Sequence, residues 1–298
     1  MRVGVLMLPT DPWPQTVVRA REIEAMGYDH LWTYDHLSWR RYRDRGWFGA
    51  IPWLTGIAAA TERIRLGPMV ASPNFRHPVT LAKDAMTLDH VSGGRVVLGI
   101  GAGGLGFDST VFGQIPLTPG QLTARLEEFV DVVDRLLREP ALSHAGDYYT
   151  VHEARMIPGC VQRPRVPIVL AAAGPKTLAL VARYADAWVT YGDARHMDAP
   201  PDVIAGVVRD QLALLERACE AIGRDPATIG RVYLAGNTSE RPLAGVETFR
   251  AFADRYASLG FTDIVIHHPR KDDPAWDDRP EIVDAIASEV LPALTRGS

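Results

Sequence analysis

Cysteine is nearly missing from the chain: 298 residues hold only Cys160 and Cys219. The pair is far apart and outside any metal-ligand spacing, so neither a disulfide framework nor a zinc site is expected, and both thiols read as inert. No window approaches the roughly 20 apolar residues of a membrane span. The apolar run that follows Met1 is too short for a signal peptide, and a cytoplasmic protein is expected. Positive charge is not in excess either, since 32 Lys and Arg face 36 Asp and Glu for a net charge of −4. Neither nucleic acid nor an anionic membrane is therefore expected as a partner. Low-complexity tracts and domain linkers are lacking. So is the His-x-His or carboxylate-rich strand end of a metal-dependent barrel hydrolase, and no metal is expected.

What the chain does have is alternation. Short β-rich runs at 3–8, 30–34, 64–70, 96–100, 166–170, 187–190, 232–235 and 264–267 are separated by helical patterns at 17–26, 81–91, 122–137, 176–184, 203–222, 246–259 and 282–294. Strict β-then-α order implies parallel strands joined by right-handed crossovers. Eight such units in about 300 residues fit an α/β (β/α)8 TIM barrel better than a doubly wound sheet. One junction is reused: Gly27-Tyr28-Asp29-His30 and Gly260-Phe261-Thr262-Asp263 both place a glycine at a helix end, then an aromatic, then a strand. Residues 1–298 read as one domain with insertions after the second strand (35–52), after the fourth (101–119) and before the fifth (139–167). The first two follow strand C-termini, where barrels build their sites, and are candidate lids and substrate walls. The third contains Gly146-Asp147-Tyr148-Tyr149-Thr150-Val151, a small extra strand or hairpin.

Several stretches can carry chemistry. Tyr34-Asp35-His36 ends the second strand and is the best acid/base candidate, because imidazole titrates near neutrality and a neighbouring acid can set its tautomer. The plain alternative is an Asp that caps the loop beside a solvated His. Ala173-Gly174-Pro175-Lys176-Thr177 joins an apolar run to a helix start, where free amides, an ammonium and a hydroxyl could seat a phosphate; an ordinary strand-to-helix loop would look the same. Gly101-Ala102-Gly103-Gly104 follows the fourth strand without an immediate helix, so it lacks the context of a dinucleotide fingerprint. Such glycines either let a flat ring lie on the backbone or make a turn. Two prolines, Pro68 and Pro73, bracket Met69-Val70-Ala71-Ser72 and suggest a bulge. Residues 39–48 interleave arginines with Trp39, Tyr42, Trp47 and Phe48, a pattern able to grip an anionic tail or stack on a planar ligand, or simply to stay solvated.

Together these stretches resemble the bacterial luciferase-like superfamily, in its branch that uses the deazaflavin coenzyme F420. The likeness runs from Val3 through Glu24-Ala25-Met26-Gly27-Tyr28-Asp29, Asp35-His36, 87–95 and Leu98-Gly99-Ile100-Gly101 to Gly174-Pro175-Lys176-Thr177 and Ile222-Gly223-Arg224-Asp225-Pro226. The resemblance implies a (β/α)8 barrel with F420, or alternatively FMN, at its C-terminal mouth over a bulge that commonly contains a non-prolyl cis peptide, here at Met69-Val70. Asp35-His36 looks like the F420 form, since flavin monooxygenases of the superfamily often carry a Glu-His-His type strand end. By the same likeness Ala173, Gly174, Pro175, Lys176 and Thr177 would hold the phosphate, and Met69, Val70, Gly101, Ala102 and Gly103 would bracket the ring. His36 would be the acid/base, Asp35 its orienting partner, and Trp39 or Trp47 a cover for the substrate. The implied activity is hydride transfer between F420 and an unidentified small organic molecule. The alternatives are an FMN-dependent monooxygenase using reduced flavin and O₂, and a barrel that binds a flavin-like ligand without turnover. A homodimer or higher homo-oligomer is expected by analogy. One departure stands out: sugar-phosphate dehydrogenases of the branch carry Glu where this chain has Gly104, which counts against sugar-phosphate oxidation.

Overall fold

The computed structural model describes residues 1–104, 106–196, 198–236, 239–271 and 273–295. Leu105 of the glycine-rich run and the Arg41 side chain lie outside that description. In chain order the strands are β1 (Arg2–Leu6), β2 (His30–Thr33), β3 (Arg65–Pro68), β4 (Leu98–Ile100), β5 (Ala141–Ala145), β6 (Thr150–Arg155), β7 (Ile168–Ala171), β8 (Ala187–Thr190), β9 (Gly230–Leu234) and β10 (Asp263–His267). The helices are α1 (Trp13–Ala25), α2 (Ala50–Ala60), α3 (Pro78–Ser92), α4 (Pro119–Arg138), α5 (Pro175–Tyr184), α6 (Pro201–Glu220), α7 (Val246–Ser258), α8 (Glu281–Glu289) and α9 (Leu291–Thr295). All strands except β5 and β6 belong to an eight-stranded sheet of the (β/α)8 class, as the alternation implies.

The chain contacts divide into two compact units, Met1–Met7 with Arg19–Trp32 and Ala172–Ser298, and Leu8–Val18 with Thr33–Ala171. In the first unit β1 pairs in parallel with β2 and β10, β10 with β9, and β9 with β8. Gly4 in β1 has a specific reason to lack a side chain: a Cβ there would overlap Nδ1 of His30. That imidazole accepts from Trp32 Nε1 at 2.6 Å, which leaves its Nε2–H to donate to Asp263 at 3.0 Å. Arg2 and Thr262 complete the shell of this buried carboxylate at 2.8 and 2.6 Å. Burial alone would push the Asp263 carboxyl up, but the hydrogen bond and charge of His30, with the bonds from Arg2 and Thr262, hold it well below the ordinary carboxylate range. A depressed folded-state value contributes stability that is present above the unfolded value of about 3.9 and is lost as pH falls through the folded one. Urea unfolding of the native chain and Asp263→Asn at stepped pH is therefore expected to show native stability dropping below about pH 4, with the gap between the two proteins shrinking there. A gap independent of pH would contradict this account.

In the second unit β4 pairs in parallel with β7, and β3 reaches β4 through the bridges Leu66–Val96 and Ala71–Ile100. The expected hairpin exists but is displaced: β5 and β6 are antiparallel, and the aromatic stretch 146–149 is their turn. Glu128 of α4 fixes that turn by accepting the amides of Tyr148 and Tyr149 at 2.9 and 2.8 Å. Helix α2 replaces the end of the loop expected over 35–52. Its sequence, AIPWLTGIAAA, has no charged residue and therefore no polar–apolar period to reveal it. The C-terminal pattern at 282–294 is two helices, because Pro292 cannot donate a backbone bond into the turn before it. Gly27 and Gly260, the reused junction, both take positive φ, 88° and 81°. Cys160 and Cys219 are buried free thiols, and burial raises both. Among the described residues no helix is long and apolar enough to cross a membrane, and no cluster of His, Cys, Asp and Glu could hold a metal.

Candidate active site

Strand β2 ends at Thr33, the first residue of a stretch of the second unit in which Tyr34 and Asp35 are buried and His36 is one-third exposed. The two neighbours Asp35 and His36 have different partners. Arg76 takes both oxygens of Asp35, Nε to Oδ2 at 2.9 Å and Nη2 to Oδ1 at 2.7 Å, a bidentate pair that leaves the carboxylate 1% exposed. Asp35 therefore does not orient His36, contrary to the sequence expectation. The acid on His36 is Asp108, 72 residues away, whose Oδ2 meets Nδ1 at 2.5 Å while Oδ1 accepts the Leu37 amide at 3.0 Å. Sequence reasoning misses Asp108, although one signal is there: it is the sole charged residue between 101 and 119.

The aromatic loop folds over the imidazole. Trp39 stacks near it at 6.2 Å between centroids, Tyr34 and Trp47 lie at 6.1 and 6.3 Å, and Trp47 Nε1 donates to the His36 carbonyl at 2.7 Å. Two arginines of this loop lie over rings, Arg40 over Trp39 at 4.9 Å and Arg43 over Phe107 at 4.3 Å. Both candidate substrate covers, Trp39 and Trp47, thus touch the same histidine.

Beyond Pro68 the backbone makes the expected bulge, and the Met69–Val70 peptide is cis. The Met69 amide donates to Thr33 O at 2.8 Å, which ties the bulge to the strand end that carries His36. The glycines after β4 are explained from inside the protein. A Cβ on Gly99 would overlap Pro68 O, one on Gly101 would lie 2.6 Å from Val70 Cγ2, and one on Gly103, whose φ is 78°, would overlap Ser72 Oγ. Their smallness lets the bulge pack against the β4 loop. At Gly104, by contrast, nothing stands within 4 Å of a Cβ position.

Asn74 joins these pieces. Its Nδ2 donates to Gly104 O at 2.9 Å, its Oδ1 accepts from Arg125 Nη2 at 2.5 Å, and its carbonyl accepts from Gln114 Nε2 at 3.0 Å. Residues 35, 36, 39, 47, 69, 70 and 101–103 all belong to the second unit, whereas Ala173, Gly174, Pro175, Lys176 and Thr177 belong to the first. There Gly174 caps α5, Pro175 opens it, and Thr177 Oγ1 donates to Gly174 O at 3.0 Å. Lys176 is exposed, and the space beside Gly174 is open to 4 Å, so an anion could approach the first amides of the helix.

Comparison with known proteins gives the family and the fold. The F420-dependent glucose-6-phosphate dehydrogenase of Kineococcus radiotolerans is 31% identical over 238 residues, covering 78% of this chain and 67% of its own. Among solved structures, an F420-dependent secondary alcohol dehydrogenase in complex with an F420-acetone adduct superposes with a TM-score of 0.81 at 18% identity, over 98% of each chain. The monooxygenase RslO1 from Streptomyces bottropensis gives 0.75 at 22%, over 98% of this chain and 99% of its own. At such identities the two structures establish the fold alone. The luciferase-like monooxygenase family model matches residues 1–288, and the chain belongs to that family.

Proposed function

We propose that this chain is an oxidoreductase that moves a hydride between coenzyme F420 and a small organic substrate. The observation that carries the reading is the placement of one imidazole. His36 leaves a strand end with Nδ1 committed to a carboxylate, Nε2 without a protein partner among the described residues, and aromatic rings around it. An imidazole so held can pass a proton while a neighbouring cofactor handles the hydride. The F420 dependence of the named relatives supports this choice of cofactor.

In each unit the residues present fit one part of such a group. Met69, Val70, Gly101, Ala102 and Gly103 would bracket the ring, and Ala173, Gly174, Pro175, Lys176 and Thr177 would hold its phosphate, with open space beside Gly104 and Gly174. Bound F420 supplies hydride transfer; the chain supplies orientation, exclusion of water by Trp39 and Trp47, and a proton site on His36. The absence of an acid at Gly104 argues for a substrate other than a sugar phosphate. We read 1–298 as a single cytoplasmic domain that assembles as a homodimer or higher homo-oligomer.

A second reading, an FMN-dependent monooxygenase, is favoured by the family description and by the likeness to RslO1. Titrating the purified protein with F420 and FMN side by side, by cofactor fluorescence, separates the two. Tight F420 with weak FMN binding is the expected result. The reverse would move the protein to the monooxygenase class, and binding of neither would remove the cofactor site described above.

A further inference from the structure

We infer that Asp108 is the positioning residue of the reaction: it fixes the tautomer of His36, so that the loop carrying it makes the site competent. This deepens the hydride-transfer reading and rests on it. An ionised carboxylate only accepts hydrogen bonds, so its contact with Nδ1 puts the proton on Nδ1 and leaves the lone pair on Nε2. The second oxygen holds the Leu37 amide, so one buried carboxylate grips both the ring and the backbone behind it. The neighbouring acid cannot take over this role, because both oxygens of Asp35 are committed to Arg76.

The loop that brings Asp108 here is held by polar contacts. Gln114 Nε2 reaches the carbonyls of Asn74 and Asp108 at 3.0 and 3.4 Å, and Asn74 is tied in turn to Arg125 of α4. Burial contributes little in the same segment, since Phe112 and Ile115 are 70% and 86% exposed. A segment with few buried apolar contacts opens at low cost, and opening this one would take the carboxylate from the imidazole.

The assignment also defines the proton step. For a substrate hydroxyl, the O–H and carbinol C–H bonds break as the C=O bond forms. Bound oxidised F420 would supply the hydride acceptor, and His36 Nε2 would take the hydroxyl proton. The Nδ1 proton stays in place, and Asp108 remains ionised and offsets the imidazolium charge. The reverse reaction returns the proton from Nε2 to the carbonyl oxygen.

The test is ring ¹⁵N NMR of the full chain labelled at histidine, with the His36 signals assigned by comparison with His36→Asn. The native protein at a pH where the ring is neutral should show the Nδ1–H form, and Asp108→Asn should shift it toward Nε2–H. With an F420-linked substrate in hand, Asp108→Asn should lower kcat on the order of 10²- to 10⁴-fold with KM changed less than about threefold, and Asp108→Glu should recover part of that loss. A native ring in the Nε2–H form, or a tautomer unmoved by Asp108→Asn, overturns the inference. That spectrum needs no cofactor, so it fails or succeeds independently of the F420 titration, whose failure would overturn the hydride-transfer reading instead. Equal kcat in Asp108→Asn and the native enzyme would overturn the positioning role even with the expected tautomer.

Discussion

Arg76→Ala is expected to lose about 3 to 5 kcal/mol of folding stability, because it strands a buried carboxylate without its counter-charge. Asp35 is 1% exposed and commits both oxygens to this guanidinium. Asp84 lies 4.0 Å from the same guanidinium, so the variant would also bring two acids into uncompensated repulsion. Burial already raises the Asp84 carboxyl, and Arg76 is what opposes that shift. Pairing Arg76→Ala with Asp35→Asn should recover part of the loss, since the double variant no longer buries a charge. Urea midpoints for the single and double variants measure both quantities. A single-variant loss below about 1 kcal/mol would show that water reaches Asp35 freely.

His36→Ala should lower turnover about 10²- to 10⁴-fold, the usual contribution of a positioned acid/base, while F420 affinity changes by less than about threefold. The separation follows from where the ring sits. The ring packs on Trp39, Tyr34 and Trp47 and bonds Asp108, while the bulge is tied to the backbone at Thr33 by the Met69 amide. Stopped-flow turnover beside equilibrium fluorescence titration reads both numbers. Full turnover in the variant would assign the proton to another group, and a cofactor affinity that collapses with it would make His36 a binding residue. A protein with bound F420 and no turnover before mutation would be the non-catalytic barrel.

The barrel is legible in the sequence because its strands are short β-branched runs bounded by turn residues, as at 168–171 after Pro167, and because Gly27 and Gly260 mark helix ends with the same chemistry. Helix α4 is legible through its apolar stripe, which buries Leu126, Phe129, Val130, Val133 and Leu137. Helix α2 is not, since a helix with no charged face carries no period. The site divides in the same way. His36 can be found because a histidine ending a barrel strand is informative by itself, but its true acid is 72 residues distant, and the partner of Asp35 is 41. Adjacency in sequence suggests a dyad of Asp35 with His36. In space the peptide sends the two side chains to different partners, and only the folded loops decide which carboxylate meets the imidazole and which the guanidinium.

Gly99, Gly101, Gly103 and Gly104 differ in how much room each leaves for a side chain. Three are locked by neighbours: Pro68 O faces Gly99, Val70 faces Gly101, and Ser72 with Asn74 faces Gly103. Gly104 alone of the four has room for a side chain, and its φ is not among the positive ones. New polar groups can therefore enter this rim by substitution at 104 with the bulge undisturbed, while variation at the other three would have to move the chain that ends β3 first. Of these four positions, a side chain can be gained cheaply at 104 alone, a narrowness set by the close approach of two strand ends.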